Sequence, residues 1–308
     1  MTTTKRSGRP SDGPPVMMAA RGAPLPMMTQ PLSPVDEVGN VTRVDNPLSR
    51  VDPALTVPAR GEAAVMFGKA LVTQERSHAP KIVPAGPPPE VGLTQHSLPA
   101  DERPDSRLSM VIDPDSERAA AFRVLRHHLL ELGRPQVVIV SSPLQGEGKT
   151  TTAMNLALAL AECGRAKVLL AETHVRRPQL ANAFRLVPPW CFAEQLAAHR
   201  HQPMLPWSLI EIPQLWLHVA AINPRIEKTQ LLDAPAFAIA MERLRLAGYE
   251  HIVIDAPPVL GSADVNLMAD AADAVLFSVR AQVSTTRDLR RAIDQIGAAK
   301  VAGTVLVE

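Results

Sequence analysis

The chain has 308 residues, yet it holds one tyrosine, two cysteines and a formal net charge of only +1. Cys163 and Cys191 have neither metal-ligand spacing nor a secretory context. That excludes a disulfide framework, and both read as reduced, buried small hydrophobes. The charge balance removes any whole-chain case for a nucleic-acid partner. No stretch reaches the roughly 18 apolar residues of a membrane span, and the opening MTTTKRSGRP lacks the apolar segment of a secretory signal. A cytoplasmic protein that meets a membrane only through a partner is the expectation. The sequence HRH at 199–201 has no further ligands close in sequence and reads as a solvated turn rather than a metal site.

Apolar residues make up 46% of the chain, enough for one sizeable core, but they are unevenly spread. Proline accounts for 17 of the first 105 residues, against 30 in the whole chain, and it interrupts every helical or strand periodicity there. Residues 1–105 are therefore expected to form a disordered, proline-rich arm. VMFGKALV at 65–72 is its one apolar island, a fluctuating patch or a short docking helix.

Residues 106–308 read as a domain. Ala120, Val124, Leu125 and Leu129 fall at helical spacing within 116–133, with Ser116 as N-cap and Gly133 as a stop. QVVIVSS (136–142) is a short uninterrupted β-branched run, as expected for a strand covered on both faces. The texture returns at 167–172, 215–221, 251–256, 274–280 and 301–307, with helical stretches at 150–164, 235–248 and 285–297. Such alternation predicts an α/β fold, a doubly wound and mostly parallel sheet whose ligands bind beyond the carboxyl ends of the strands.

The first strand runs into SSPLQGEGKTTTA (141–153), with a helix directly after. Gly146, Glu147, Gly148, Lys149, Thr150 and Thr151 supply what a polyphosphate needs. Glycines turn backbone N–H groups toward the anion, the lysine meets the β and γ oxygens, a hydroxyl serves Mg²⁺, and a helix begins there. This reads as the phosphate loop of a P-loop NTPase rather than a glycine-rich turn that binds nothing, with one departure: Pro143 stands where the pattern has its first glycine and brings no N–H. HIVIDAPP (251–258) places Asp255 at the end of a buried strand, where a carboxylate holds Mg²⁺.

Together these motifs resemble the cytoplasmic domain of bacterial tyrosine kinases, the BY-kinase family of the deviant Walker ATPases, over roughly 110–308. GEGKTTTAMNLA stands as Walker A, LLAETHVRRP as the second Walker motif and VIDAPPVL as Walker B, with ADAADAVLFSVRAQVSTTRDLRRAI downstream. Leu144, five residues before Lys149, stands where the related partitioning ATPases carry a signature lysine. The resemblance implies ATP and Mg²⁺ as cofactors, and Lys149, Glu172 and Asp255 as catalytic residues. It assigns metal contact to Thr150, Asp255 and Glu172, and loop or phosphate contact to Arg176 and Arg177. Arg123 and Arg126 belong to a pattern whose charges pair between subunits of a ring, and a homo-oligomer is implied with them. The implied partner is an inner-membrane polysaccharide co-polymerase of the Wzz type, in capsule or exopolysaccharide synthesis and export.

Departures from the family's pattern bear on activity. Glu172 and His174 stand where the kinases carry two aspartates that position Mg²⁺ and activate the attacking tyrosine. Ala120 replaces the glutamate of the ring pattern, with Glu117 one turn earlier. The sequence ends on VAGTVLVE, without the family's tyrosine-bearing tail, and Tyr249 reads as a packing residue. An ATP-binding protein with weak or lost tyrosine-kinase activity is the first expectation. A non-enzymatic scaffold and a partitioning ATPase stay open beside it.

Overall fold

Runs of Val, Ile and Leu with no polar alternation form the middle of the sheet, because both of their faces are covered. The computed structural model describes residues 65–66, 87–225 and 233–307, which all lie in one unit spanning 56–308. Among them, nine strands form one sheet: β1 Val65–Met66, β2 Val91–Gln95, β3 Val137–Ser141, β4 Val168–Glu172, β5 Trp207–Ile212, β6 Leu217–Ala220, β7 His251–Asp255, β8 Ala274–Arg280 and β9 Val301–Val307. Their spatial order is β1-β9-β8-β3-β7-β4-β6-β5-β2. Only the β1–β9 and β5–β6 pairs are antiparallel.

Helices cover both faces: α1 Ser109–Ile112, α2 Glu117–Glu131, α3 Lys149–Ala161, α4 Leu180–Ala183, α5 Phe192–His201, α6 Ala234–Leu246, α7 Asp264–Ala271 and α8 Thr286–Ile296. Successive strand residues alternate between two cores. Val138, Val140, Leu170 and Val253 pack with Leu125 and Leu129 of α2 and Met154 of α3. Val137, Ile139, Leu169, Ile252 and Ile254 pack with Phe192, Phe237, Met241 and Met268 on the opposite side. This is the two-residue period of a strand sandwiched between helix layers. The expected N-cap is present: Ser116 Oγ accepts the Ala119 N–H at 3.3 Å, an arrangement that contributes about 1 kcal/mol.

Four expectations are corrected. Residues 91–95, placed in the disordered arm, form β2, which pairs in parallel with β5 at the sheet's edge. Prolines 87–89 and Pro99 flank this strand rather than interrupt it, and an edge strand of five residues tolerates such neighbours. In the apolar island, Val65 and Met66 pair as a strand with Val305 and Thr304, which excludes a helix there; 67–72 lie outside the described residues. The HRH stretch is the last turn of α5, not a solvated turn. His199 is buried, its ring stacked 3.7 Å from Trp207 and its two nitrogens 2.7 and 3.0 Å from the carbonyls of Gln195 and Leu205. Finally, Cys191 is buried but Cys163 is exposed, because it occupies a left-handed turn (φ +64°) past the end of α3.

Candidate nucleotide site

Parallel pairing sets the site. Asp255, the last residue of β7, lies in register with Val140 of β3 on one side and Glu172 of β4 on the other. The loop leaving β3 therefore arches over two strand-end carboxylates. Its glycines have the left-handed backbone that such a loop requires, φ +88° at Gly146 and +83° at Gly148, which caps α3. At Gly148 space is also short: a Cβ would stand 3.1 Å from Val307 Cγ1 and 3.3 Å from Ser278 Oγ.

Glu147 fastens the loop. Its buried carboxylate accepts the Leu144 N–H at 2.6 Å and the Ser284 hydroxyl, and its carbonyl accepts the Ser278 hydroxyl at 2.5 Å. The side chain ties the loop to the turn before α8, and the backbone carbonyl ties it to β8.

Lys149 is buried in the first turn of α3, and burial pulls its ammonium below the ordinary lysine range against the opposing pull of Asp255 and Glu172. The neighbouring Thr150 hydroxyl donates to Asp255 Oδ2 at 2.8 Å. Asp255 Oδ1 is buried with no hydrogen-bond partner, and burial raises this carboxyl above its usual range although Lys149 and Thr150 oppose the rise. An unpartnered hard oxygen beside a threonine hydroxyl fits a Mg²⁺ ion. The glycine loop, the start of α3 and Lys149 likewise fit a polyphosphate.

Two cavities meet at this point. One of about 290 Å³ is lined by Gly146, Gly148, Lys149, Thr150, Thr151 and Arg177, together with Arg107, Gln145 and Gln179. The other, about 330 Å³, shares Arg107, Gly146, Gly148 and Thr151 with it and is walled by Phe122, Leu125, Val305 and Val307, with Arg118 and Arg280 among its polar residues. The first is polar, as phosphates require, while the second offers apolar walls to a nucleoside.

The second Walker motif is arranged differently from the kinase pattern. Glu172 is fully buried; Oε1 accepts the N–H groups of Gln179 and Leu180, the latter at 3.0 Å, and Oε2 accepts that of Ile222 at 3.0 Å. The carboxylate thus joins the start of α4 to the loop after β6. Burial, followed by the charge of Asp255, pushes its pKa up to about 7, although the three N–H donors favour the charged form. His174 is buried with Nδ1 unpartnered, and desolvation together with Lys149, Arg177 and Arg176 pulls its pKa down to about 3. It is a neutral imidazole. Arg176 and Arg177 are both exposed; Arg177 lines the smaller of the two cavities and Arg176 does not.

Arg123 and Arg126 line neither cavity and are held within the chain. Both pair with Glu162 beyond the end of α3, at 2.7 and 2.9 Å, while Arg123 also donates to the Pro114 carbonyl and Arg126 to that of Ala159, each at 2.7 Å. The charge that the resemblance places on another subunit is met here by Glu162. Tyr249 is buried: its hydroxyl is 2.8 Å from His218 Nδ1, the Lys167 ammonium sits 4.6 Å from its ring centroid, and burial holds the phenol above its usual range.

One site residue escapes the sequence. Arg107 lines both cavities, but it stands in RPDSRLSM, which has no periodicity and matches no motif.

No family model matches the chain. The succinoglycan biosynthesis transport protein ExoP of Rhizobium meliloti is 29% identical over 219 residues, covering 67% of this chain and 27% of ExoP. The tyrosine-protein kinase YwqD of Bacillus subtilis is 26% identical over 174 residues, covering 52% of this chain and 68% of YwqD. The chain spans about a quarter of the length of the curated relatives that it matches at 28–29% identity. Among solved structures, the chimeric protein CapA2B2 superposes with a TM-score of 0.57 at 26% identity, over 71% of this chain and 93% of that one. In sequence the chain is similar to bacterial tyrosine-protein kinases, and its fold is that of their kinase domains.

Proposed function

We propose that the chain is an ATP-binding protein of a bacterial exopolysaccharide or capsule system, built like the bacterial tyrosine kinases but with protein-tyrosine kinase activity weak or lost. The observation that carries the reading is the Thr150–Asp255 pair with its unpartnered Asp255 oxygen, at the foot of a glycine loop that also carries the buried Lys149. Relatives named as tyrosine kinases support nucleotide binding, and one named as a succinoglycan transport protein supports the polysaccharide context.

Bound ATP with Mg²⁺ would supply an electrophilic phosphoryl group. Lys149 would neutralise the β and γ phosphates, Thr150 and Asp255 would hold the metal, and Arg177 lines the same cavity. What is missing is the carboxylate that accepts a proton from an attacking hydroxyl. Glu172 is engaged by three backbone N–H groups, and a buried imidazole held neutral down to about pH 3 is too weakly basic to replace an aspartate. Binding is retained in this reading and turnover is low.

The proposed partner is an inner-membrane polysaccharide co-polymerase, which would bring the protein to the membrane from the cytoplasmic side. Among the described residues no helix is long and apolar enough to cross a membrane. The same Glu172 contacts favour a second reading, a scaffold whose nucleotide is structural. Glu172→Asp combined with His174→Asp separates the two: measurable ATP turnover, or phosphate transfer to a tyrosine polymer, supports a damaged enzyme, and a silent double variant that still binds ATP supports the scaffold.

A further inference from the structure

We propose that Arg107 is a phosphate-binding residue of this nucleotide site, contributed from outside the glycine loop by the segment that leads into α1. The inference rests on the nucleotide-binding reading above and adds a residue to it that no motif contains.

Position is the first argument. Arg107 lines the polar cavity with Lys149 and Arg177 and also the apolar cavity beside it, so it stands at their junction, where a phosphate chain would pass toward its nucleoside. Its side chain is 30% exposed.

Orientation is the second. Nε and Nη2 donate to the two oxygens of Asp105 at 2.9 and 2.8 Å, and Nη1 donates to Gln179 Oε1 at 3.2 Å. A guanidinium has five N–H donors in a rigid fork, so one on each terminal nitrogen has no partner among the described residues. Two donors of a fixed, planar cation suit two oxygens of a phosphate.

The backbone is anchored to the helix that carries Lys149. Asn155 of α3, fully buried, donates through Nδ2 to the carbonyls of Arg107 at 2.7 Å and Thr151 at 2.8 Å, and its Oδ1 accepts the Met110 N–H at 3.1 Å. Arg107 and the phosphate loop are therefore parts of one rigid arrangement. Asp255 and Glu172 act on it only through their charge: Asp255 Oδ2 accepts from Thr150, Asp255 Oδ1 has no partner, both Glu172 oxygens accept backbone N–H groups, and neither residue forms an ion pair with Arg107 among the described residues. With Lys149, Arg107 and Arg177 converging on one cavity, an anion of several charges is the complementary ligand.

The test uses the full chain and a fluorescent ATP analogue displaced by ATP, ADP, tripolyphosphate or adenosine, for the wild type, Arg107→Ala, Arg107→Gln and Lys149→Ala. The expected result is that both Arg107 variants lose about tenfold or more in affinity for ATP, ADP and tripolyphosphate, with adenosine unchanged. Arg107→Gln keeps a hydrogen-bonding side chain for Gln179 and reports should the alanine variant fail to fold. Affinities within twofold of the wild type, with Lys149→Ala impaired, overturn the assignment and leave Arg107 a structural link between Asp105 and Gln179. A wild-type chain that binds neither ATP nor ADP defeats the nucleotide reading itself and this assignment with it.

Discussion

The Thr150 hydroxyl donates to Asp255 Oδ2 across 2.8 Å, while Asp255 Oδ1 is buried with no partner. A buried acceptor left unpaired costs about 1–3 kcal/mol. Its persistence at the carboxyl end of β7, under the glycine loop, is what a metal ligand requires, because a bound Mg²⁺ would offset that cost.

Asp255→Asn keeps an acceptor for Thr150 and removes the charge. ATP affinity measured with Mg²⁺ is expected to fall about tenfold or more, whereas the weaker affinity measured in EDTA stays near the wild-type value. An equal loss in both conditions would place Asp255 outside metal binding.

The two loop glycines separate strain from crowding. Both have positive φ, but a Cβ at Gly146 meets nothing within 4 Å, whereas one at Gly148 meets Val307 and Ser278. Gly146→Ala should cost about 1 kcal/mol of stability from backbone strain alone, and Gly148→Ala should cost about 1 kcal/mol more and distort the loop. Urea unfolding curves of the two variants check the ranking.

Glu172 titrates in an unusual range. Its carboxyl rises from an ordinary 4.5 to about 7 on folding, so the folded state binds the proton more tightly than the unfolded state. Stability from this group is full below about pH 4.5 and is lost as pH rises toward 7, a change of roughly 3 kcal/mol. Glu172→Ala deletes an acceptor for three N–H groups and should destabilise at every pH, but by roughly 3 kcal/mol less at pH 8 than at pH 4.5. A destabilisation that is the same at both pH values would show that the carboxyl ionises normally.

Glu162 bridges α2 and α3 through Arg123 and Arg126, with side chains that are 26–32% exposed. Partial exposure limits its contribution to about 1 kcal/mol, screened by salt. Glu162→Gln should lower the melting temperature by a few degrees in dilute buffer and by less in 1 M NaCl. A loss that is independent of salt would indicate packing rather than charge.

Much of the architecture was legible because the central strands must be apolar on both faces. Val137–Ser141, Val168–Glu172 and Ala274–Arg280 appear where their uninterrupted runs predict them. β2 and β5 were not legible: β2 is exposed at four of its five residues and finds its partner far away in sequence, with a proline-rich flank beside it, while Ser208 and Glu211 break the apolar run of β5. At the site, a motif names residues that a local loop brings together, as with Lys149 and Thr150. It does not show that the Glu172 carboxylate meets the backbone N–H groups of residues 179, 180 and 222, or that Glu162 supplies the partner of Arg123. Arg107 was illegible for the same reason: Asp105 orients its guanidinium locally, but the contacts that bring it to the site, from Asn155 to its carbonyl and from Gln179 to its side chain, come from residues far away in sequence.

The most direct measurement is titration of the purified chain with a fluorescent ATP analogue, with and without Mg²⁺, beside Lys149→Ala. The account predicts saturable binding that strengthens with Mg²⁺ and is lost on removing the Lys149 ammonium. Absence of binding in the wild type, or binding indifferent to both Mg²⁺ and Lys149, would contradict it.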